Sequence, residues 1–338
     1  MPLRSRPYAS MSSARARPLV VAFGGNALMR SGEDGTQKQQ ERRAREVAAG
    51  LLPLLRRSAG VLLVHGNGPQ VGQILIQAEE ASTKVPAQGL DVCVAQSEGS
   101  IAYLLERALR ETIMKGGLTR SITPIITQVR VDPRDPALRA PTKPIGPFYA
   151  PFRAQGLRRQ RRWPMVEDSG RGFRRVVPSP RPVEVLQLVA IQTLLDRGHV
   201  VIAAGGGGIP VSRTARGEWV GVEAVIDKDY TAALLARHLR ARQFIILTDV
   251  DQVYLDYGQP RQRAVSRLTL EEARRYLQEG QFPAGSMGPK VEACLEYVEH
   301  AGREAIITSV RRLEWALAGR AGTRFVAGAR GQSRRKSA

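Results

Sequence analysis

The sequence of 338 residues predicts an α/β chain, a three-layer αβα sandwich around a mainly parallel open sheet with a protruding Pro-rich subdomain. Three observations carry that prediction. Short, wholly apolar runs alternate with longer stretches of helical period, as in parallel strands covered on both faces. Glycine clusters at 24–25, 66–68 and 205–208 follow three of those runs, where ligands bind in open α/β sheets. Ten prolines fall within 132–182 without a sustained period, which keeps that stretch out of a central sheet and marks a semi-rigid excursion.

The elements follow in order. Leu19–Phe23 reads as a buried strand that stops at Gly24-Gly25-Asn26. Gln37–Arg57 reads as a helix whose apolar stripe is Val47, Leu51, Leu54 and Leu55. A second buried strand over 61–64 ends in His65-Gly66-Asn67-Gly68-Pro69. Helices over 71–81 and 96–115 and a strand over 122–127 precede the excursion. Regular alternation then resumes with a helix over 184–197, a strand over 200–204 and the four glycines 205–208. Helices over 229–240, 270–278, 289–301 and 311–318 and strands over 244–248 and 305–308 complete the pattern. The expected organisation is a basic, disordered extension over 1–17, a first lobe over 18–204 that includes the excursion, a second lobe over 205–327 and a basic, disordered tail over 328–338.

Composition narrows the function classes. Hydrophobic residues make up 43%, enough for a sizeable core and too many for global disorder. No apolar run approaches the ~20 residues of a spanning helix, so no membrane association is expected. Cys93 and Cys294 give neither a disulfide framework nor metal-ligand spacing, and no protein ligand set for a metal stands out. The net charge of +20 suggests nucleic acid at first, but its distribution weakens that reading. Each terminal segment contributes four positive charges, leaving +12, and half of that sits in 153–175. The Arg- and Ser-rich start fits either an organelle transit peptide or an upstream start codon ahead of Met11, and hence either an organelle matrix or the cytoplasm.

Glycines at strand ends let backbone N–H groups approach an anion, and three such loops suit a ligand with several phosphate or carboxylate groups. Neither a P-loop nor a Gly-x-Gly-x-x-Gly fingerprint is present, which excludes the ordinary nucleotide-binding signatures. Phosphoryl transfer needs fixed cations, and the chain has seven lysines beside forty-four arginines. Lys143 lies in the excursion, Lys228 between Asp227 and Asp229 at a helix start, and Lys290 just after Gly285-Ser286-Met287-Gly288-Pro289. A compact ammonium suits point contact with a moving phosphoryl group, while surface placement is the ordinary fate of a single lysine. Asp227 and Asp229 either orient Lys228, help hold a metal, or simply cap the helix. His65 reads as structural, and Trp163, Trp219 and Trp315 are too scattered for a stacking platform.

These loops resemble those of the carbamate kinases in the amino acid kinase family. The resemblance runs from about 18 to 327 and rests on separated motifs. They include Ala22–Ala27, His65–Gly72, Thr142–Phe148, Glu167–Gly172 running into Arg175–Pro180, Gly205–Pro210, Gly221–Asp229, Leu247–Asp251 and Gly285–Lys290. It implies the reversible reaction of ATP with carbamate to give ADP and carbamoyl phosphate, with Mg2+, in a homodimer, and a phosphotransferase whose acceptor is a carboxyl group. It implies a first lobe that binds carbamate, a second that binds nucleotide, and a mobile excursion whose lysine reaches the active site. Carried over residue by residue, Lys143, Lys228, Lys290 and Asp229 are catalytic, and Gly24, Gly25, Asn26, Gly66, Asn67 and Gly68 surround the substrate. Gly205, Gly206, Asp227, Asp249, Tyr254, Gly285 and Met287 are expected near the nucleotide. The implied setting is arginine breakdown by the deiminase route, although the sequence leaves the direction of the reaction open.

The alternatives are another kinase of this fold, acting on a larger acid such as acetylglutamate, and a basic RNA-binding or regulatory protein without catalysis. The Thr142–Pro147 segment speaks against the first and the intact lysine loops against the second. The cluster Arg158-Arg159-Gln160-Arg161-Arg162 and both basic termini depart from the family pattern, through anion capture or through Arg-rich composition.

Overall fold

Leu19–Phe23, β1, is apolar at every position because both of its faces are covered. Leu19, Val21 and Phe23 join one buried cluster, while Val20 and Ala22 join another on the opposite face. The computed structural model describes residues 17–29, 33–58, 60–168, 170–283 and 285–328. The basic extension before Arg17 and the tail after Gly328 lie outside the described residues.

A short 3-10 turn at Gly25–Ala27 leads from β1 toward α1 (Gln37–Arg57). Thr36 and Gln39 exchange side-chain-to-backbone bonds at its start, a capping box that satisfies two orphan N–H groups. Then come β2 (Val61–His65), α2 (Gly68–Glu80), α3 (Leu90–Lys115), β3 (Ile122–Ile125) and β4 (Gln128–Val131). The excursion contains β5 (Lys143–Tyr149), α4 (Pro151–Arg161), β6 (Met165–Glu167) and β7 (Phe173–Val177). The chain returns through β8 (Pro182–Val185), α5 (Leu188–Asp196), β9 (Val200–Ala203), β10 (Ile209–Arg213) and β11 (Trp219–Gly221). Helix α6 (Lys228–His238) and β12 (Gln243–Thr248) follow, then the hairpin β13 (Val253–Leu255) and β14 (Arg263–Val265). The last elements are β15 (Arg267–Thr269), α7 (Leu270–Gln278), α8 (Met287–Ala301), β16 (Ala305–Ser309), α9 (Leu313–Leu317) and β17 (Thr323–Val326).

Eight strands form one sheet in the order β15-β17-β16-β12-β1-β2-β9-β3. From β3 to β16 every neighbouring pair is parallel, and only the β16–β17 pair is antiparallel. One face carries α1 and α3 with Leu313 of α9; the other carries α5, α6 and α8. This is the three-layer sandwich expected. Because β9, β2, β1 and β12 are adjacent and parallel, the loops after them share one edge of the sheet. Those loops begin at Ala204, Gly66, Gly24 and Asp249, which brings glycine clusters far apart in sequence to one place.

The excursion has more regular structure than its prolines suggest. Strands β5, β7 and β6 form a separate antiparallel sheet with β5 at its edge, where missing proline N–H groups cost no central ladder bond. The pairing of β5 with β7 is regular from Lys143 to Ile145 and resumes at Tyr149, across Gly146-Pro147-Phe148. The helix expected over 184–197 starts later than its composition suggested. Pro182–Val185 pairs with β4 instead, in a second sheet ordered β11-β10-β4-β8. Alternating Val183 and Val185 offer β-branched surface that the neighbouring strand captures.

Two arginines of the Arg-rich stretch hold the excursion to α2, and three others bond within the excursion. Glu79 receives Arg175 at 2.7 Å and Glu80 receives Arg161 at 2.5 Å. The guanidinium carbons of Arg161 and Arg175 lie 5.6 Å and 4.5 Å from the centre of the buried Trp163 ring. Gly72 of α2 packs so closely on Gly146 of β5 that a Cβ on Gly72 would fall 2.1 Å from the Gly146 Cα.

Candidate active site

The floor of the site is the loop after β9. Ala204 adopts φ 52, and Gly206, Gly207 and Gly208 adopt φ 68, 95 and 87. The left-handed Ala204 costs about 1–2 kcal/mol, so the loop must be held from outside. Glu98 of α3 does so: its Oε1 accepts the Gly205 N–H at 2.9 Å and its Oε2 the Thr127 N–H at 3.1 Å. The Thr127 hydroxyl in turn accepts the Ala204 N–H at 2.8 Å. Burial pushes the Glu98 carboxyl up to about 7, against the backbone N–H groups that favour its charged form.

On this floor stands the loop after β2. His65 is fully buried; its Nδ1 donates to the Gly66 carbonyl at 3.1 Å and burial pulls its pKa down to about 4, so the ring is neutral. Gly66 lies against the loop after β1, where a Cβ would come within 2.5 Å of the Gly25 nitrogen and 3.2 Å of Lys228 Cδ. A Cβ on Gly206 would strike the Asn67 side chain at 2.1 Å. Asn67 Nδ2 donates to the Ser97 hydroxyl at 2.8 Å. Gly24 opens the turn that carries Gly25 and Asn26, and its carbonyl accepts the Ala27 N–H at 3.0 Å.

Above these loops runs a chain of ion pairs. Asp229 is 1% exposed and binds Lys228 through Oδ1 at 2.8 Å and Lys290 through Oδ2 at 3.3 Å. Lys290 also donates to the Ser286 carbonyl at 3.0 Å, across the first turn of α8. Asp227 caps α6 by accepting the Asp229 N–H at 2.9 Å and pairs with Lys143 from the excursion. Three ammonium groups therefore face two carboxylates. Burial would raise Asp227, but Lys143, Lys228 and Lys290 outweigh it and hold the carboxyl well below its usual range. Asp229 is lowered in the same way, by Lys228 and Lys290 against burial. Burial pulls the Lys228 ammonium down, with Asp229 opposing; for Lys290 burial is outweighed by Asp229 and Asp227, and its pKa rises.

The structure thus joins Lys143, Lys228, Lys290, Asp227 and Asp229, and sets Gly25, Gly66 and Asn67 beside them. Gly205 and Gly206, expected with the nucleotide, pack on His65 and Asn67. Asp249 follows β12 and adds its field to Lys290. Tyr254 on β13 faces the Tyr257 ring at 5.9 Å, Gly285 is exposed and Met287 opens α8; these three lie outside the chain of ion pairs. Sequence reasoning missed Glu98, Ser97 and Thr127. A carboxylate inside an otherwise apolar helical face was the signal for Glu98.

A lysine-lined, glycine-floored edge of a parallel sheet is the kind of site at which kinases bind and transfer phosphoryl groups. The chain belongs to the amino acid kinase family, whose sequence profile matches residues 17–309, and within it to the carbamate kinases. The carbamate kinase of Pyrococcus furiosus is 44% identical over 310 residues, 91% of this chain and 98% of the relative. The carbamate kinase of Giardia lamblia bound to citric acid superposes with a TM-score of 0.88 at 37% identity, covering 92% of this chain and 99% of its own. The same Giardia enzyme bound to AMP-PNP gives a TM-score of 0.83 at 38% identity, over 92% and 99% of the two chains.

Proposed function

We propose that the chain transfers a phosphoryl group reversibly between ATP and carbamate, forming ADP and carbamoyl phosphate, by direct in-line displacement. The observation that carries this reading is Asp229, which fixes Lys228 and Lys290 on its two oxygens beside the Gly25 and Gly66 loops. Two ammonium groups held on one buried carboxylate need no reorganisation when charge gathers on the transferring phosphoryl. Lys143 supplies a third cation from the excursion. Carbamate carries its own anionic oxygen, so no general base is needed; Asp227 and Asp229 are held by lysines, and His65 is packed away.

In this reading Gly24, Gly25, Asn26, Gly66, Asn67 and Gly68 present backbone N–H groups to carbamate, with Gly205 and Gly206 supporting that loop from below. Asp249, Tyr254, Gly285 and Met287 face the nucleotide, which puts carbamate on the 18–204 side and ATP on the 205–327 side. Among the described residues no group of three acidic, His or Cys side chains has metal-binding geometry. Magnesium would be carried largely on phosphate oxygens, with Asp227 the carboxylate placed to help hold it. Bound magnesium would neutralise phosphate charge. Working toward ATP, the reaction would serve arginine breakdown by the deiminase route, in a homodimer in the cytoplasm.

The experiment follows ATP formation from MgADP and carbamoyl phosphate, with acetylglutamyl phosphate as control. Rapid turnover of carbamoyl phosphate alone is expected. Lys290→Ala should lower kcat by about 10²–10³-fold while the protein stays folded. A folded, nucleotide-binding protein that makes no ATP from carbamoyl phosphate would overturn the reading.

A further inference from the structure

One end of the Arg174 guanidinium is unused. Arg174 stands on β7, and its Nε donates to the Gly146 carbonyl at 3.0 Å while Nη1 donates to Asp168 at 3.1 Å. The Phe148 ring centre lies 5.1 Å from its guanidinium carbon. The residue is only 8% exposed, and its Nη2 has no hydrogen-bond partner. That nitrogen lies at the first turn of α2, where a Cβ on Gly68 would sit 3.6 Å from it. The same helix start has no side-chain cap, because the Asn67 amide is turned to Ser97. A helix start without a side-chain cap and an unpaired guanidinium N–H therefore meet over one loop. Both polar atoms of the buried Gln70 amide, in the same turn, also lack partners. Buried donors are rarely left this way unless a ligand or water completes them.

We propose that Arg174 is a substrate-binding residue whose Nη2 donates to the anionic oxygens of the carbamate portion, held at the Gly66–Gly68 loop. The inference rests on the carbamate kinase reading above. A guanidinium is flat, permanently charged and matched to a carboxylate-like group, so it recognises the planar end of the substrate while the lysines hold the phosphoryl. Its neighbour Arg175 also has a buried nitrogen without a partner, Nε, but its guanidinium is turned to α2 and not to the substrate loop. Arg175 donates to Glu79 and stacks on Trp163, which makes it a docking residue between the excursion and α2. Arg174 also gives the excursion a reason to close: its Gly146 and Asp168 partners are in the excursion, and its free end is over the substrate loop.

The test is steady-state kinetics toward ATP for the full chain and for Arg174→Ala, Arg174→Lys and Arg175→Lys, each checked by its melting temperature. The Arg174 variants should raise KM for carbamoyl phosphate about tenfold or more, with KM for MgADP changed less than about twofold. Millimolar guanidinium should restore part of kcat/KM in Arg174→Ala, which a structural role would not allow. If Arg174→Ala fails to fold, Arg174→Lys carries the test, since it keeps the charge and loses the fork. An unchanged KM for carbamoyl phosphate, or an equal rise in Arg175→Lys, overturns the assignment while the carbamate reading stands. A folded parent chain inactive on carbamoyl phosphate overturns both.

Discussion

Glu98 is a buried carboxylate that serves the reaction only through the backbone it holds, and its titration makes that service measurable. Burial raises its pKa from 4.5 to about 7, so between those values the native state holds a proton that the unfolded chain has released. Stability from this group is therefore fully present below about pH 4.5 and is lost as pH rises through 7, on the order of 3 kcal/mol in all. His65 works in the opposite sense. Its pKa falls from 6.5 to about 4, so stability rises with pH across that window. Comparing Glu98→Gln with the parent in urea titrations from pH 5 to 8 isolates the carboxylate. The variant should show a flatter decline of stability toward pH 7; identical slopes would refute the shifted pKa. At this scale the sequence was legible where composition made contrast. Three lysines stood out against forty-four arginines, and the structure joins all three through Asp227 and Asp229. Glu98 had only the apolar helical face around it, and Arg174 had no such contrast among the arginines. Their partners lie 107 and 28 residues away, and only tertiary folding creates the contacts.

Between elements, the seam of α2 and β5 decides how the excursion sits. Gly72 and Gly146 touch backbone to backbone, and Gly146 adopts φ 72. Gly72→Ala places a methyl 2.1 Å from the Gly146 Cα, where neither backbone has a flexible side chain to yield. The substitution should cost about 1–3 kcal/mol by overpacking. It should also release the excursion, and with it Lys143 and Arg174, before the main sheet unfolds. Limited proteolysis should show early cleavage within 132–182, together with a raised KM for carbamoyl phosphate. Intact resistance to protease would mean that the Arg175–Glu79 and Arg161–Glu80 pairs hold the seam without close packing. Helices were legible in their bounds where period and caps agree: α1 and α7 occupy the stretches their sequences predict, each opened by a capping box, whereas α2 and α3, without side-chain caps, start three and six residues earlier than expected. The short strands β10, β11, β13, β14, β15 and β17 were not. Three to five residues are too few to show a period, and their pairing depends on neighbours distant in sequence.

For the molecule as a whole, charge is the property that composition reveals and geometry interprets. The order of the sheet was hidden, because nothing local says that β9 lies beside β2 or β12 beside β1. Given that order, the glycine loops and the three lysines fall at one edge of the sheet, and Lys143 ties the basic excursion to it. Arg161 and Arg175 are paired with Glu80 and Glu79 and add little net charge, so any long-range field on a ligand comes from the excess of the other basic residues. Such a field raises the capture rate of a dianion and is screened over about 10 Å at 0.1 M salt. For carbamoyl phosphate, kcat/KM should therefore fall several-fold between roughly 20 mM and 200 mM salt, while kcat stays nearly constant. Potassium chloride and potassium acetate should give the same curve, since screening depends on ionic strength and not on which anion is present. Different curves would indicate competition by a bound anion at the Gly66–Gly68 loop. A flat response in both salts would show that the +20 charge plays no part in bringing substrate to the site.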